Sequence, residues 1–243
     1  YEKDWVAELN QWLPRKIIDI HFHCASLVDK QHLVNWEATA PGLMFNSFPW
    51  EEHCGILEQI LPGIEYRVAG FGIPTIQACD LQNEYIFGLS QIGKPVIPIL
   101  MGLAPIKPDY VTAKFQAGFR GIKMYPTYSQ KKTLTRVEQV FPQSIISVVN
   151  DRCSNMIMHL PNNLRVNGVE LVEIAKRYEN ANFIIAHMGN FYKEQEGFAF
   201  ALGQMKNLPN VYFDTAMVSD VDVIAKALSI LGQEKVLFGS DAP

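Results

Sequence analysis

The chain alternates short apolar segments with stretches of helical character, and this repeat constrains its fold more than any other feature. The apolar segments are continuous rather than alternating, and most are followed by Gly, Pro or Asn, as in parallel strands covered on both faces. Helical periodicity lies between them, for example over 168–178 and 221–228. The eight segments are Ile17–His23, Tyr66–Ile73, Val96–Leu103, Gly121–Tyr125, Met156–Leu160, Phe183–Met188, Val211–Thr215 and Val236–Asp241.

A strand followed by a helix, repeated eight times, predicts a (β/α)₈ TIM barrel of the α/β class. The main competitor is a doubly wound open sheet, which shares the alternation but needs a glycine-rich phosphate loop after its first strand. Here the first segment ends in His21-Phe22-His23-Cys24 instead. We therefore predict one barrel domain over residues 1–243.

Two departures from a regular barrel are expected. About 40 residues separate His23 from the second segment, more than a βα connection needs. We interpret residues 24–63 as an insert, either a lid-like wall of the site or a satellite cluster on the barrel rim. The sequence stops at Asp241-Ala242-Pro243, where an eighth helix is expected, and it begins with Tyr rather than Met. We expect that the last helix and a short N-terminal piece are missing.

Composition limits the partners of the chain. The net charge is −4 and no basic stretch exceeds Lys131-Lys132, which argues against nucleic acid. No apolar run reaches the ~18 residues of a membrane span, so no membrane partner is expected. The four cysteines include no C-x-x-C pair, which favours buried, reduced thiols and a cytoplasmic location. Whether the chain forms a homo-oligomer stays open.

Histidines and an aspartate end four of the apolar segments. His21 and His23 share one face of the first strand because strand side chains alternate. His159, His187 and Asp241 end later segments, and the carboxyl ends of barrel strands meet at one rim. Imidazole and carboxylate groups together predict a site for zinc or another divalent ion. A hydrogen-bonded structural role for each histidine, or a helix N-cap for Asp241, is the alternative.

Together these motifs resemble the amidohydrolase superfamily, and most of all its branch containing aminocarboxymuconate-semialdehyde decarboxylase and related lactonases. The similarity runs from His21 to Pro243. It rests on His21-Phe22-His23, the run Gly118–Pro126, His159-Leu160-Pro161, His187-Met188-Gly189 and Gly239-Ser240-Asp241-Ala242-Pro243.

The resemblance implies roles for these residues. His21, His23, His159 and Asp241 would bind a divalent metal, most simply zinc, with one or two ions per chain. In one-metal members, the residue corresponding to His187 polarises the substrate or the bound water. In two-metal members it binds the second ion, and a carboxylated lysine at the position of Lys123 bridges the two ions. The alternative for Lys123 is an ion pair or a contact with a substrate anion.

Substrate-binding candidates lie in the loops on the same rim. Arg165 follows the fifth segment, and Tyr192 and Lys193 follow the sixth. A guanidinium pairs well with a carboxylate, although solvated loop charge is the alternative. Trp36 and Trp50 of the insert are candidates for an aromatic pocket wall.

The leading functional hypothesis is a metal-dependent hydrolase of a small carbonyl substrate such as a lactone or an amide. A metal-activated water would attack, Asp241 would move the proton, and His187 would stabilise the oxyanion. The alternatives are a metal-dependent non-oxidative decarboxylase of a small unsaturated or aromatic acid and, less favoured, a barrel without catalysis. The sequence does not separate hydrolysis from decarboxylation because both use the same ligands.

Overall fold

Strands and helices alternate along the chain in the computed structural model, which describes residues 2–25, 49–73, 79–125, 134–193 and 195–242. The strands are β1 (Lys16–His23), β2 (Glu65–Phe71), β3 (Val96–Pro98), β4 (Leu100–Leu103), β5 (Gly121–Tyr125), β6 (Asn155–Met158), β7 (Asn182–Ile185), β8 (Val211–Asp214) and β9 (Val236–Leu237). The helices are α1 (Glu2–Asn10), α2 (Trp50–Ile60), α3 (Cys79–Gln91), α4 (Pro108–Ala117), α5 (Val137–Val140), α6 (Gln143–Asp151), α7 (Leu164–Arg177), α8 (Phe198–Met205) and α9 (Val221–Leu231).

All the strand pairs are parallel and follow the order of the sequence. The ladders run β1-β2-β3 and β4-β5-β6-β7-β8-β9. Only Ile99 separates β3 from β4, and its amide donates to the carbonyl of Gly70 at 2.9 Å, so the two ladders are continuous with each other. β3 and β4 therefore form one strand of the predicted barrel.

Hydrogen bonds also join the last strand to the first. The Ile20 amide donates to the Phe238 carbonyl, and the His23 amide donates to the Ala242 carbonyl, both at 3.0 Å. Phe22 and Ala242 form a parallel bridge. The order of strands therefore returns to its starting point, as the sequence predicted for eight barrel strands.

Alternation along the strands divides the core into two layers. In β6, Met156 and Met158 pack with the helices in the larger cluster, whereas Ile157 between them belongs to a separate inner cluster. Phe71 and Ile184 are further members of the inner cluster. The continuous apolar runs in the sequence thus reflect strands that are buried on both faces.

A β-bulge in β1 includes the first of the two histidines. Asp19 pairs with Val68 and Phe22 pairs with Gly70, so β1 carries one residue more than β2 over this stretch, and His21 lies within it. Bulges bend a strand and re-aim its side chains. The rings of His21 and His23 both contact the inner residue Phe71, with centroid distances of 5.2 and 4.7 Å.

The described part of the insert packs on the outside of β1. Trp50 at the start of α2 is buried, and its ring lies 6.3 Å from that of Phe22, which faces away from the two histidines. Trp36 and the rest of residues 26–48 lie outside the described residues, so a lid over 24–63 stays a prediction. All four cysteines are free thiols. None of the described helices has the length and apolar character that crossing a bilayer requires.

Gly239 packs closely against His21 of β1. A Cβ atom at this position would be 2.8 Å from Cβ of His21 and 3.5 Å from Cβ of Asp214. Both backbone groups of Gly239 bond to the Thr215 hydroxyl, at 3.1 and 3.2 Å. The backbone is therefore fixed against His21, and only glycine fits without displacing it.

We expect Gly239→Ala to lower the free energy of unfolding by about 1–3 kcal/mol, because the added methyl group meets atoms that are themselves packed. Urea denaturation measures the change. Gly203→Ala in α8 is the matched control, since a Cβ there meets nothing within 4 Å and should leave stability unchanged or slightly raised. Equal effects of the two substitutions would contradict this interpretation.

Candidate metal centre

The carboxyl ends of the strands bring together four histidines and an aspartate. His21 and His23 end β1, His159 directly follows β6, and His187 follows β7 by two residues. Asp241 lies beyond β9, and its amide donates to the carbonyl of His21 at 2.9 Å. The sequence predicted all five residues on one rim, and the structure brings them into one cluster.

Three of the imidazoles are oriented through Nδ1. The Nδ1 atom of His21 lies 2.8 Å from Asp214 Oδ2, that of His23 lies 3.0 Å from the Gly72 carbonyl, and that of His187 lies 3.0 Å from the Ala216 carbonyl. Carboxylate and carbonyl oxygens only accept hydrogen bonds, so each Nδ1 carries a proton. Partners of this kind fix the tautomer of metal-binding histidines and leave the unprotonated Nε2 free to coordinate a metal.

The opposite edges of these rings converge on Asp241. Its Oδ1 atom lies 2.8 Å from His21 Nε2 and 3.4 Å from His23 Nε2. His21, His187 and Asp241 each offer one ligand atom, and those three atoms lie within 4.8 Å of one another. His159 joins the cluster through His187, with 3.2 Å between His159 Nδ1 and His187 Nε2.

The donor set fits a divalent cation. Asp241 Oδ1 is buried and makes no hydrogen bond of acceptable geometry within the described residues, although two imidazole nitrogens crowd it. A buried charged oxygen without such a bond is costly unless a cation compensates it. Neutral imidazole nitrogens together with a carboxylate are ligands typical of zinc and similar ions.

The electrostatics favour a positive charge at this point. Burial and Lys123 lower the pKa of His21, but the carboxylates of Asp214 and Asp241 outweigh them and raise it. Burial alone would raise the pKa of Asp241, whereas His21 and His23 bring it well below its ordinary value. Burial and the neighbouring His21 lower the pKa of His187 to about 4, so its imidazole is neutral at pH 7. A proton or a metal cation can supply the positive charge that the carboxylates require.

Lys123 is fully buried at the end of β5, beside the cluster. Its Nζ atom lies 3.1 Å from His21 Nε2 and about 5 Å from the ring centroids of Phe71 and Tyr125, at 5.3 and 4.9 Å. Burial lowers the pKa of Lys123 to about 8, although Asp214 and Asp241 partly offset this shift. Lys123 thus lies close enough to take part in the site, and its carboxylation stays a prediction.

His187 opens a left-handed turn that the sequence did not predict. Residues His187–Asn190 form one helical turn in which every φ angle is positive, from 50° to 70°. The His187 amide donates to Asp214 Oδ1 at 2.7 Å. The Asn190 side-chain amide donates to the carbonyls of Leu160 and Asn162 at 3.1 and 2.9 Å. The turn is thereby tied to the loop that carries His159.

A family comparison agrees with this geometry. The family model for amidohydrolases matches residues 108–243, more than half of the chain. The chain belongs to the amidohydrolase family. Comparison of the amidohydrolase with curated proteins gives no match.

Several solved structures resemble this chain over nearly its whole length. An amidohydrolase from Burkholderia multivorans with bound zinc has a TM-score of 0.68 and 12% identity, covering 93% of this chain and 84% of its own. A proposed 2-pyrone-4,6-dicarboxylic acid hydrolase from Pseudomonas putida has a TM-score of 0.62 and 16% identity, covering 94% and 83%. The 2,6-dihydroxybenzoate decarboxylase from Rhizobium has a TM-score of 0.58 and 14% identity, covering 93% and 88%. The likeness confirms the predicted TIM-barrel fold.

Two polar side chains that contact the histidines were not singled out from the sequence. Asp214 ends β8 and binds both His21 and the His187 amide. Tyr125 ends β5, and its hydroxyl lies 3.3 Å from His23 Nε2 while its ring stacks on His159 at 5.3 Å. Both occupy the strand-end position that identified the histidines, so the same signal was present.

The predicted substrate-binding residues differ in placement. Tyr192 lies 5.7 Å from the His187 ring and is partly exposed, and burial raises its pKa to about 12. Arg165 is exposed, with its alkyl chain over Gly197, and Lys193 is also exposed. Trp50 packs against the outer face of β1, which favours a structural role. Of these residues, the structure brings Tyr192 alone into contact with a cluster histidine.

We expect Asn190→Ala to lower the free energy of unfolding by about 2–3 kcal/mol. The variant loses two hydrogen bonds, and alanine is strained at the positive φ angle of this position. Asn190→Gly loses the same bonds without that strain and should cost about 1 kcal/mol less. Urea denaturation of the three proteins measures both terms. A larger loss for the glycine variant than for the alanine variant would show that the left-handed conformation carries no strain.

Proposed function

We propose that this amidohydrolase is a metal-dependent hydrolase of a small carbonyl substrate, such as a lactone or an amide. One observation carries the proposal: Nε2 atoms of His21 and His23 converge on a buried carboxylate oxygen of Asp241 that has no well-formed hydrogen bond among the described residues. Membership of the amidohydrolase family supports it. A small substrate suits a site set inside the mouth of a barrel.

The proposed ligands of the ion are His21, His23, His159 and Asp241, and the proposed metal is zinc. Nitrogen and oxygen ligands suit zinc. The similar structure from Burkholderia multivorans, which contains bound zinc, supports the choice. Lys123 favours a single ion, because its ammonium group beside His21 Nε2 would repel a second cation unless it were carboxylated. His187 and Lys123 would hold the second ion in the two-metal alternative.

The bound ion would act as a Lewis acid that polarises the substrate carbonyl and makes water more acidic. Asp241 would accept the proton of the attacking water and deliver it to the leaving group, since its carboxylate lies where the His21 and His23 imidazoles converge. His187 donates through Nδ1 to the Ala216 carbonyl, so its neutral Nε2 is an acceptor or a ligand rather than a donor to an oxyanion. Tyr125, whose hydroxyl lies 3.3 Å from His23 Nε2, and Tyr192, whose ring lies beside that of His187, would be the phenols that donate to a substrate oxygen.

Two measurements test the proposal. Elemental analysis of the purified protein should find about one zinc per chain. Asp241→Asn should reduce turnover of a responsive lactone or amide by about 10²–10⁴-fold while leaving the circular dichroism spectrum unchanged, because it removes the proton acceptor. Asp222→Asn on the exposed start of α9 is the matched control and should retain activity.

Near-parental activity of the Asp241→Asn variant would refute the assigned role. Measurement of carbon dioxide release from unsaturated and aromatic acids separates the second candidate reaction. Release of carbon dioxide without hydrolysis of any lactone or amide would identify the site as a decarboxylase with the same ligands.

A further inference from the structure

Two segments that carry metal-site residues are far apart in sequence but meet at one buried carboxylate. His21 lies in β1, and Asp241 lies 220 residues later, beyond β9. Asp19 lies in β1, two residues before His21, and its fully buried side chain reaches the second segment. None of the interactions described for the metal site explains why a carboxylate is buried there.

One oxygen of Asp19 binds a backbone amide from each segment. Asp19 Oδ1 accepts a hydrogen bond from the His21 amide at 3.0 Å and another from the Ser240 amide at 3.1 Å. Ser240 directly precedes Asp241, so both amides belong to or adjoin residues of the metal site.

The other oxygen of Asp19 binds a residue outside the two segments. Asp19 Oδ2 accepts a hydrogen bond from the Tyr66 hydroxyl in β2 at 2.7 Å. The carboxylate has no exposed surface. Through Oδ1 it bridges the His21 and Ser240 backbones, in addition to the direct hydrogen bond from the Asp241 amide to the His21 carbonyl.

The bulge explains why a side chain is needed at this point. The regular pairing of β1 with β2 is interrupted between Asp19 and Phe22. The His21 amide lies in this interruption and donates to Asp19 instead of to a strand carbonyl. A buried amide without an acceptor is costly, and a carboxylate is a stronger acceptor than a neutral group.

We infer that Asp19 is a positioning residue, which holds His21 and Asp241 at the separation that metal binding requires. The inference rests on the proposed function, because it takes these two residues as ligands. Metal affinity is sensitive to such support, and loss of residues that orient ligands costs about 10–100-fold in affinity.

The test compares zinc affinities of the full-length protein and three variants, measured by competition with a chromophoric chelator. Asp19→Ala removes the acceptor and should weaken zinc binding by about tenfold or more. Asp19→Asn keeps an oxygen that can accept both amides and should stay within a few-fold of the parent. Tyr66→Phe is the matched control: it removes the partner of Oδ2, lowers stability, and should leave zinc affinity nearly unchanged.

The visible spectrum of the cobalt(II)-substituted proteins gives a second readout. Asp19→Ala should change the ligand-field bands, whereas Tyr66→Phe and Asp19→Asn should preserve them. If Asp19 only stabilises the fold, Asp19→Ala and Tyr66→Phe will lower the melting temperature but bind zinc as the parent does. That result, or equal losses of affinity in Asp19→Ala and Asp19→Asn, would overturn the inference.

Failure of the proposed metal site gives a different result, because the parent protein itself would then bind no zinc. A parent that binds zinc but hydrolyses no lactone or amide would overturn the proposed reaction alone and leave the inference about Asp19 to the zinc affinities. Should Asp19→Ala not fold, amide hydrogen exchange of the parent tests whether the two hydrogen bonds to Asp19 Oδ1 exist in solution. The His21 and Ser240 amides should then be among the most protected in the protein, and Asp19→Asn should keep that protection. Exchange of either amide at the rate of exposed loop residues would overturn the inference.

Discussion

The hydrogen bonds between β1 and residues 238–242 are the interaction on which the rest of the molecule depends. They join the last strand to the first. They also bring Asp241 Oδ1 to 2.8 Å from His21 Nε2. The hydrogen bonds that complete the strand order are therefore also the ones that place Asp241 beside His21. A chain in which these bonds failed would lose both the candidate metal-binding carboxylate and the continuous order of strands.

Regular strands could be predicted from the sequence, whereas the irregular end of the last strand could not. The segment Gly121–Tyr125 was predicted with the bounds that the structure shows, because buried parallel strands have continuous apolar runs. The segment predicted over Val236–Asp241 is paired as a strand over Val236–Leu237 alone. Gly239 leaves the strand to pass close to His21, and Asp241 has a positive φ angle of 60°, features that hydrophobic patterning cannot reveal.

The site was predictable where strand alternation applies and unpredictable where the backbone is irregular. His21 and His23 share a face because Phe22 between them points to the outer cluster. The role of Asp214 depends on which strands are neighbours and on the direction of the His21 ring, which a single sequence does not contain. The Asp19 contact with Ser240 likewise requires knowledge of the bulge in β1.

The irregular elements direct side chains to one point, which regular strands cannot do. A regular strand places side chains at fixed intervals, whereas a small cation needs several donor atoms around one point. The bulge at His21, the left-handed turn at His187 and the positive φ of Asp241 each redirect a candidate donor residue at the carboxyl end of a strand. Buried carboxylates offset the cost: Asp214 accepts the His187 amide, and Asp19 accepts the amides of His21 and Ser240. In the proposed metal site, His21 and Asp241 would therefore contact the cation, while Asp19 and Asp214 bind the backbone amides next to them.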